Sequence, residues 1–478
     1  MNFVFINPPH AVKSNNVWSI INSEIPPLGL ALLAAIWDRQ GHTSQIIDAA
    51  VLQLSIPEII AGINSSADFV GVTATTPDIT SAIKIARLVR EKLPDTKIIM
   101  GGVHPTVFHE KLVRDNICDM VVRNEGEIPI TELAKGTPLN LIPNLTWRNS
   151  QNEVVINPDS AKHVDLDSLP FPAYDKLPMH LYHSALGAAR KQPSIGMITS
   201  RGCPGKCTFC FSAMFGSQIR FMSPVRIIDH IEHLQQNYGI REISFYDDTF
   251  TASNKNIAEL CHLILAKKIK LSWSCFARAD TVTPELLLLM KKAGCHQIMF
   301  GFESSDEKIL KIINKRINFS EFQNAITWTR AAKINIRGAF MLGNPGETEH
   351  SMEKTISYAK NTGIKFAVFN ITTPYPGTIL YKEFLRKNSL LHQNWDLYDR
   401  AHPVLKLDTV SGDMVEQYYY KSYRDVYLRP AFILRHIFSI RTFSEFLTYT
   451  KAAFKITLLF LKNIFQNKMR RKQHRNQP

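Results

Sequence analysis

Residues 200–210 read Ser-Arg-Gly-Cys-Pro-Gly-Lys-Cys-Thr-Phe-Cys, so that Cys203, Cys207 and Cys210 stand on one short stretch of chain. Three thiolates on one tight loop can bind three irons of a four-iron four-sulfur cluster and leave the fourth iron open for another ligand. We therefore interpret this stretch as a catalytic cluster loop.

Two simpler readings of the cysteines fit the sequence less well. A structural zinc site needs four closed ligands, and the nearest histidines and the next cysteine, His183, His230 and Cys261, lie outside local reach. A disulfide framework conflicts with the odd total of seven cysteines. It also conflicts with the N-terminus, which reads as a first strand rather than as a secretory signal.

The chain around the cluster loop alternates strands with helical stretches. From Ser194 onward six strand and helix pairs can be counted, which predicts a partial barrel rather than the full eight-unit one. The predicted strands are Gly196–Thr199, Glu242–Phe245, Leu271–Phe276, Gln297–Phe302, Asn335–Leu342 and Phe366–Ile371. In such barrels the chemistry lies at the carboxyl ends of the strands, and the cysteines follow the first strand directly.

The first 137 residues show the same alternation without the cysteines. The predicted strands are Phe3–Ile6, Ser44–Ile47, Phe69–Thr73, Lys97–Met100 and Met120–Val122, and turns of small or polar residues follow them. In an open α/β sheet a ligand binds outside the carboxyl ends of the strands. The pattern therefore predicts a doubly wound, Rossmann-like ligand-binding domain, followed by a connecting region with one small hairpin between Leu145 and Ile156.

Composition sets broad limits. The chain has 478 residues, 45% of them apolar and 21% charged, which is typical of a globular protein with two or three domains. Its net charge is +14, but residues 421–478 carry thirteen Lys or Arg against only Asp425 and Glu445. Since the rest of the chain is nearly neutral, a general affinity for nucleic acid is not indicated.

The spacing Cys-x3-Cys-x-Phe-Cys, with Phe209 inside it, resembles the signature of the radical S-adenosylmethionine superfamily. The resemblance implies that Cys203, Cys207 and Cys210 bind a 4Fe–4S cluster. It also implies that S-adenosylmethionine occupies the open iron and is cleaved to a 5′-deoxyadenosyl radical.

The strand ends of the predicted barrel carry further elements of that family. Taken alone, the carboxylates of Asp247 and Asp248 could bind a metal, cap a helix or accept hydrogen bonds from an ammonium group. The resemblance implies that Asp247, with Tyr246 beside it, binds the methionine amino group of S-adenosylmethionine. Arg278 suits the methionine carboxylate, although an ion pair with Asp280 is a close alternative.

Two later strand ends complete the resemblance. Gly301-Phe302-Glu303-Ser304 is similar to the family's Gly-x-Glu-Ser element, which implies that Glu303 and Ser304 contact the ribose or the methionine moiety. The turn that begins at Gly343 is similar to a Gly-x-Pro-Gly-Glu-Thr turn whose backbone approaches the adenosine. A purely structural turn is the alternative at Gly343.

The first domain resembles the cobalamin-binding domain of cobalamin-dependent radical enzymes. This implies a cobalamin site with a hydroxyl at Thr73 or Thr75, a close backbone approach at Gly101–Gly102, and a further turn at Glu125–Gly126. The histidine segment of such domains should lie near residues 26–29, which hold no histidine. The cobalt is therefore expected to be weakly ligated or without a ligand on its lower face, unless the domain has lost cobalamin. His42 and His104 are possible replacements, but most lone histidines are not ligands.

The basic C-terminal region has two readings. Apolar residues cover most of a helix over 444–466, but no apolar run reaches the length of a spanning helix. With Arg470, Arg471 and Lys472 this fits an interfacial helix on an anionic membrane. A helix packed on the barrel with a solvated basic end fits equally well. Membrane contact would favour a lipid-like or tetrapyrrole substrate.

Together these features predict four regions: a cobalamin-binding-like domain (1–137), a linker (138–193), a radical barrel (194–400) and a basic helical region (401–478). We expect a cytoplasmic enzyme that methylates an unactivated carbon of a small molecule and takes electrons from a flavodoxin or ferredoxin type of donor. The resemblance to the anaerobic magnesium-protoporphyrin monomethyl ester cyclase group offers oxidative cyclisation as the alternative. A cobalamin and cluster regulator without catalysis is the alternative of another class.

Overall fold

The computed structural model describes residues 1–10, 23–185, 187–211, 214–216 and 218–437. The first part of the chain forms a seven-stranded sheet in the order β2-β1-β3-β4-β5-β6-β7. Its strands are β1 (Asn2–Asn7), β2 (Thr43–Asp48), β3 (Phe69–Thr73), β4 (Lys97–Gly101), β5 (Met120–Val122), β6 (Leu145–Arg148) and β7 (Val154–Ile156). The strands β1 to β5 are parallel, which confirms the predicted doubly wound domain.

Helices cover both faces of this sheet. They are α1 (Leu28–Arg39), α2 (Ala49–Leu52), α3 (Ile56–Ala61), α4 (Ile79–Lys92), α5 (Val103–Arg114) and α6 (Glu127–Ala134). The central strand β1 is apolar on both sides, because Val4 and Ile6 pack into one core while Phe3 and Phe5 pack into the other. Such continuous apolar strands are expected where helices bury both faces of a parallel sheet.

The predicted hairpin of the connecting region belongs to the first sheet. β6 pairs antiparallel with β5 (Met120 opposite Trp147), and β7 pairs with β6. The sheet therefore continues past residue 137, the predicted end of the first domain. The hairpin covers the N–H and C=O groups that an edge strand would expose.

The second part of the chain forms a six-stranded sheet in the order β15-β14-β13-β12-β11-β8, and every pair in it is parallel. Its strands are β8 (Ser194–Met197), β11 (Glu242–Phe245), β12 (Ser272–Ala277), β13 (Cys295–Glu303), β14 (Asn335–Leu342) and β15 (Phe366–Ile371). This confirms the predicted partial barrel, although β8 begins two residues before the predicted strand.

Helices follow the barrel strands on the outside. They are α7 (Pro224–Tyr238), α8 (Asn254–Ala266), α9 (Pro284–Lys292), α10 (Glu307–Ile312), α11 (Phe319–Ala331), α12 (Glu349–Asn361) and α13 (Ile379–Arg386). Each of α7, α8, α9 and α11 begins with a Ser, Thr or Asn side chain that accepts a hydrogen bond from the backbone of its first turn. One apolar core joins these helices to the outer face of the barrel.

The chain continues through α14 (Gly412–Tyr427) and α15 (Pro430–Ile437). Helix α14 packs along β15, which is an edge strand of the barrel. Among the described helices, none is long and apolar enough to cross a membrane. The predicted amphipathic segment 444–466 lies outside the described residues.

Candidate functional site

The cluster loop is closed at its base by a two-residue ladder. β9 (Ser200–Arg201) pairs antiparallel with β10 (Arg220–Phe221), so that Arg201 lies opposite Arg220. Gly202 begins the loop at φ +93°, and a Cβ there would lie 2.5 Å from the carbonyl oxygen of Gln218. Only glycine fits this backbone without strain. The ladder therefore fixes where the cysteine loop leaves the barrel.

The three cysteines lie at the mouth of the barrel. Cys203 and Cys207 are half-buried and Cys210 is exposed. The Cys203 Sγ lies 3.5 Å from the Thr249 Oγ1 and accepts a hydrogen bond from the Gly205 N–H at 3.4 Å. Among the described residues, no three His, Cys, Asp or Glu side chains are close enough to hold a single metal ion. A cluster spaces its thiolates more widely than a single ion does, so this finding is compatible with the cluster reading.

Backbone hydrogen bonds tie the loop to its surroundings. The N–H of Thr208 donates to the Ile313 carbonyl at 3.0 Å, and the N–H of Leu380 donates to the Thr208 carbonyl at 2.9 Å. Phe209 is half-buried and packs against Leu380 and Phe384 of α13. The aromatic residue of the signature therefore anchors the loop by packing.

Arg278 lies directly over the cluster loop. Its guanidinium makes two hydrogen bonds with Asp280, at 3.0 and 2.8 Å. A Cβ on Gly205 would lie 3.0 Å from the Arg278 Nη1, so the arginine is in close contact with the loop backbone. The ion pair weighed in the sequence analysis is present, and Arg278 also faces the cysteines.

Two cations act on the Cys207 thiol. Burial raises the pKa of this thiol overall, and the positive charges of Lys315 and Arg278 offset only part of that rise. Positive charge near a thiol favours the thiolate, which is the form that binds iron. The donor set and its charge environment therefore fit an iron–sulfur cluster.

The adjacent carboxylates after β11 point in different directions. Asp247 is buried, and its two oxygens accept hydrogen bonds of 2.5 Å from the N–H and the hydroxyl of Thr199. Burial raises its pKa to about 6, although the hydrogen bonds from Thr199 and Ser200 oppose that shift. Asp248 is exposed, and its charge acts on the Cys210 thiol. Asp248 therefore presents the freer carboxylate to the rim.

Tyr246 turns into the barrel. Its ring packs against Phe276 with 5.2 Å between centroids, and it covers Gly196, where a Cβ would lie 2.6 Å from the tyrosine ring. The tyrosine thus forms part of the inner wall below the rim.

Glu303 forms a buried ion pair that the sequence analysis missed. Its Oε1 lies 2.8 Å from the Nζ of Lys315, and both side chains are largely buried. A Cβ on Gly301 would lie 2.5 Å from this oxygen and 3.0 Å from the Lys315 Nζ, so glycine makes room for the pair. Lys315 lies in the turn after α10, twelve residues after Glu303, and no spacing rule links the two positions.

Ser304 and Gly343 are tied to neighbouring helices. The Ser304 hydroxyl lies 3.3 Å from the Thr355 hydroxyl of α12 and accepts a hydrogen bond from the Asp306 N–H. Gly343 has a φ of +76°, and a Cβ there would lie 2.7 Å from Val415 of α14. The structural alternative weighed for the Gly343 turn is therefore physically well supported.

A cavity of about 600 Å³ lies between the first sheet and the barrel. The first domain contributes Phe3, Phe5, Thr73, Thr75, Gly101, Gly102, Asn124, Glu125 and Gly126, and the barrel side contributes Ser200, Arg201, Tyr246, Asp247 and Asp248. Strands β1, β3, β4 and β5 all contribute to the wall from the first domain. The order of the strands reverses between β1 and β3, which is where ligands bind in this class of sheet.

The glycines at the end of β4, Gly101 and Gly102, bring backbone to the wall of this cavity. Gly102 has a φ of +95°, and a Cβ there would lie 2.8 Å from the Thr73 Oγ1. Thr73 is half-buried, whereas Thr75 is exposed and donates a hydrogen bond to Asp78. The predicted cobalamin residues Thr73, Gly101, Gly102, Glu125 and Gly126 therefore meet at one wall.

Glu125 also joins the two domains. Its carboxylate binds both arginines at the base of the cluster loop, Arg201 at 2.6 Å and Arg220, while Arg201 also lies 2.5 Å from Glu127. Burial would raise the pKa of Glu125, yet Arg220 and Arg201 hold it below its usual value. These ion pairs connect the turn after β5 to the cluster loop.

The two histidines considered as cobalt ligands do not line the cavity. His42 precedes β2 at the opposite end of the sheet, and its Nε2 lies 2.9 Å from the Ala134 carbonyl. His104 is buried beside Thr76, and burial lowers its pKa to about 4. Among the described lining residues the one histidine is His230 of α7, which is hydrogen-bonded to Tyr174 at 3.0 Å.

Comparisons with known proteins agree with this architecture. The model of the Radical SAM superfamily matches residues 197–359, and that of the B12 binding domain matches residues 19–134. A Pyrococcus horikoshii protein, named an uncharacterized methyltransferase, is 34% identical over 445 residues, which cover 92% of this chain and 95% of that protein. The anaerobic magnesium-protoporphyrin IX monomethyl ester cyclase of Rubrivivax gelatinosus is 25% identical, over 91% of this chain and 78% of that protein.

Solved structures show the same fold. The radical S-adenosylmethionine methyltransferase TsrM from Kitasatospora setae, solved with cobalamin and a 4Fe–4S cluster bound, has a TM-score of 0.66 at 16% identity. The match covers 90% of this chain and 89% of that one. The cobalamin-dependent S-adenosylmethionine radical enzyme OxsB has a TM-score of 0.72 at 16% identity, with coverage of 96% and 72%.

The fold and the cysteine loop define a radical S-adenosylmethionine enzyme. More particularly, the chain belongs to the cobalamin-dependent radical S-adenosylmethionine enzymes, which confirms the resemblance found in the sequence. Its cofactors are those of the family: a 4Fe–4S cluster, S-adenosylmethionine and cobalamin. The thiol loop fits the first, and the glycine-lined wall of the cavity fits the last.

Proposed function

We propose that this enzyme methylates an unactivated carbon of a small molecule inside the cavity between its two domains. The observation that carries the proposal is that one cavity is lined both by Thr73, Gly101 and Gly102 and by Asp247 and Asp248 of the barrel rim. Groups assigned to cobalamin and groups assigned to S-adenosylmethionine thus face the same space, so that a substrate between them can react with both.

In this reaction the cofactors supply a 5′-deoxyadenosyl radical to remove a hydrogen atom and a cobalt-bound methyl group to replace it. The protein supplies position and the exclusion of water. Cys203, Cys207 and Cys210 hold the cluster. The paired Arg201 and Glu125 hold the cluster loop against the first domain.

We assign the binding of S-adenosylmethionine to the rim of the barrel. Arg278 suits the methionine carboxylate, because it lies against the cysteine loop and, within the described part of the chain, is paired with the carboxylate of Asp280 alone. For the methionine amine we propose the turn at Asp247 and Asp248, with Asp248 as the free acceptor and Asp247 holding the turn through Thr199. Glu303 and Ser304 are assigned to the same ligand, with Lys315 orienting Glu303.

Oxidative cyclisation is the second candidate. It is favoured by the cyclase of Rubrivivax gelatinosus, whose match covers most of this chain. Other relatives are named as methyltransferases of bacteriochlorophyllide d and as a hopanoid C-3 methylase. We therefore propose a tetrapyrrole or a lipid-like molecule as the substrate class. Regulation without catalysis explains neither the paired cavity walls nor the rim residues.

Three finer assignments accompany the function. We propose the domain boundaries of the sequence analysis, with the first domain extended to the hairpin at Ile156. An electron donor of the flavodoxin or ferredoxin type reduces the cluster. The basic tail, with its apolar stretch 444–466 and with Arg470, Arg471 and Lys472, contacts a membrane surface in the cytoplasm, where a lipid-like substrate would be found.

The test uses protein purified without oxygen and supplied with cobalamin, iron and sulfide. Electron paramagnetic resonance should show a cluster, and cobalt without a nitrogen lower ligand. Incubation with a reduced flavodoxin or ferredoxin, methyl-deuterated S-adenosylmethionine and candidate tetrapyrroles or polyprenoid lipids should yield 5′-deoxyadenosine and a product that carries the deuterated methyl group. A product that has lost hydrogen without gaining a methyl group would favour cyclisation. Cluster and cobalt signals without 5′-deoxyadenosine would favour a regulator.

A further inference from the structure

Helix α7 places two polar side chains, Arg226 and His230, at the wall of the cavity between the two domains. They stand four residues apart, so they lie on the same face of the helix, and both line the cavity. His230 is buried and Arg226 is half-buried. The ring of Phe171 stacks on His230 with 4.4 Å between centroids, and the guanidinium carbon of Arg226 lies 3.9 Å from the centroid of the same ring. Packing therefore holds both side chains at the cavity wall.

His230 presents an N–H group without an acceptor. Burial lowers its pKa to about 3, and His233 and Arg226 act in the same direction, so the ring is neutral and carries one proton. The His230 Nε2 lies 3.0 Å from the Tyr174 hydroxyl, which makes no other hydrogen bond within the described residues. If Nε2 carried the proton, both the hydroxyl proton and Nδ1 would be unsatisfied. The hydroxyl therefore donates to Nε2, and the ring proton is on Nδ1, which is buried without a partner.

Arg226 brings a positive charge to the same wall. In the described part of the chain, its guanidinium contacts the carbonyl of Leu169, at 2.6 Å from Nη2, and the ring of Phe171. Its Nε is buried without a hydrogen bond. The two glutamates that line the cavity are paired with other arginines. The charge and the Nε–H of Arg226 are therefore both available to a ligand in the cavity.

Two N–H donors on neighbouring turns of α7, one of them on a cation, indicate the chemistry that this wall binds. Buried donors are normally paired, and an unpaired one is unfavourable. An amide carbonyl could accept from an N–H but would not balance the charge of the arginine. The oxygens of a phosphate or a carboxylate do both. The methionine carboxylate of S-adenosylmethionine is assigned to Arg278 at the cluster loop, so the anion belongs to another molecule.

Cobalamin carries one such anion. A phosphodiester joins its corrin ring to its benzimidazole base, and the base lies away from the cobalt when no nitrogen binds the lower face. The base then needs an apolar pocket of its own. Leu169, whose carbonyl binds Arg226, packs in an apolar region of the cavity. Other residues of this region that line the cavity are Phe3, Phe5, Leu30, Ile99 and Ile130.

We propose that Arg226 and His230 bind the phosphodiester of cobalamin and so hold its base in the apolar region around Leu169. This inference rests on the proposed function and deepens it, because it adds a site for the cofactor on a helix of the barrel. Thr73 and Gly102 line the cavity from the first domain. Both domains then bind one cofactor, which fixes the cobalt relative to the rim of the barrel.

The test measures corrinoid binding by equilibrium dialysis, with the full chain carrying its cluster but no cobalamin. The probes are cobinamide, which lacks the phosphate and the base, cobinamide phosphate, and cobalamin. We expect wild-type protein to bind cobinamide phosphate about tenfold more tightly than cobinamide, since hydrogen bonds to a charged group are strong. Arg226→Met should bind these two probes alike, and His230→Phe, which keeps a ring against Phe171, should keep part of the preference.

Two further variants serve as controls. The exposed Arg241→Met, directly after α7, should match wild type. Arg226→Gln keeps a donor for the Leu169 carbonyl without the charge, and it repeats the test if Arg226→Met does not fold. Cobalamin should bind more tightly than cobinamide phosphate in every variant, because the apolar region for the base is unchanged.

The proposal is overturned if wild type shows no preference for the phosphate, or if the folded Arg226→Met or Arg226→Gln variant keeps that preference. It is also overturned if these variants lose affinity for an anionic tetrapyrrole or lipid while their corrinoid preference is unchanged, since the two side chains would then bind the substrate. Failure of the proposed function would instead appear as wild-type protein that shows the phosphate preference but forms no 5′-deoxyadenosine.

Discussion

The hydroxyl of Tyr423 makes both backbone hydrogen bonds of Phe369: it accepts from the N–H at 3.2 Å and donates to the carbonyl at 3.0 Å. Tyr427, one helical turn later, does the same for Ala367 at 3.1 and 2.7 Å. Phe369 and Ala367 are alternate residues of the edge strand β15. Two tyrosines of α14 therefore cover the barrel edge in place of another strand.

Removing the Tyr423 hydroxyl should destabilise the barrel. Tyr423→Phe leaves two buried backbone groups without partners, and each costs about 1–3 kcal/mol. We expect a loss of about 2–4 kcal/mol in the free energy of unfolding by urea denaturation. Tyr418→Phe is the control, because that hydroxyl lies on the exposed side of α14. A Tyr423 variant as stable as this control would show that the edge needs no cover.

The cluster loop can be tested against another cysteine of the same chain. Cys203→Ala should abolish the cluster absorption and the formation of 5′-deoxyadenosine, because two thiolates do not hold a four-iron cluster at a site with an open iron. Cys118→Ala changes a buried cysteine of the first domain and should keep both signals. Iron per chain and the nucleoside product are measured together. Persistent 5′-deoxyadenosine in Cys203→Ala would refute the cluster assignment.

We predict that mutations of Glu303 and Lys315 have non-additive effects on the free energy of unfolding. Glu303→Gln leaves the buried Lys315 ammonium uncompensated and should cost about 3–5 kcal/mol in the free energy of unfolding. The double variant Glu303→Gln with Lys315→Met removes both charges, so it should recover much of that stability. It should not recover 5′-deoxyadenosine formation, since Glu303 is assigned to S-adenosylmethionine. Recovered catalysis would make the pair purely structural.

We predict that the stability of the fold depends on pH through the carboxyl group of Glu347. Burial raises its pKa from 4.5 to about 8, although the N–H groups of Asn344 and Gly343 oppose the shift. Between these values the folded chain binds a proton that the unfolded chain has lost. This carboxyl therefore lowers stability as pH rises from 4.5 to 8, by up to about 1.4 kcal/mol per pH unit.

The Glu347→Gln variant carries no such proton and can still accept from Asn344, whose N–H lies 2.8 Å from the Glu347 Oε2. Urea denaturation at several pH values should show a smaller decline for the variant than for wild type across that window. If the free energy of unfolding changes with pH equally in the two proteins, Glu347 does not ionise between pH 4.5 and 8. Glu349→Gln on the exposed first turn of α12 is a matched control.

Local sequence patterns predicted most of the fold. The strands of the first domain and of the barrel follow apolar runs separated by amphipathic helices, and all eleven predicted strands start within two residues of their positions in the structure. The hairpin from Leu145 to Ile156 was predicted as well, but not the sheet it joins. Which edge a hairpin covers depends on strands far away in the chain, and no local pattern encodes that choice.

The sequence by itself determined the family, the cluster loop and the strand ends that carry the site, because these depend on spacing within a few residues of chain. Only the tertiary structure decided that Asp247 turns to Thr199 while Asp248 faces the rim, and that Lys315 pairs with Glu303. Each of these depends on which face of a strand a side chain occupies and on what lies opposite it. Both follow from long-range packing, which joins residues that the sequence keeps apart.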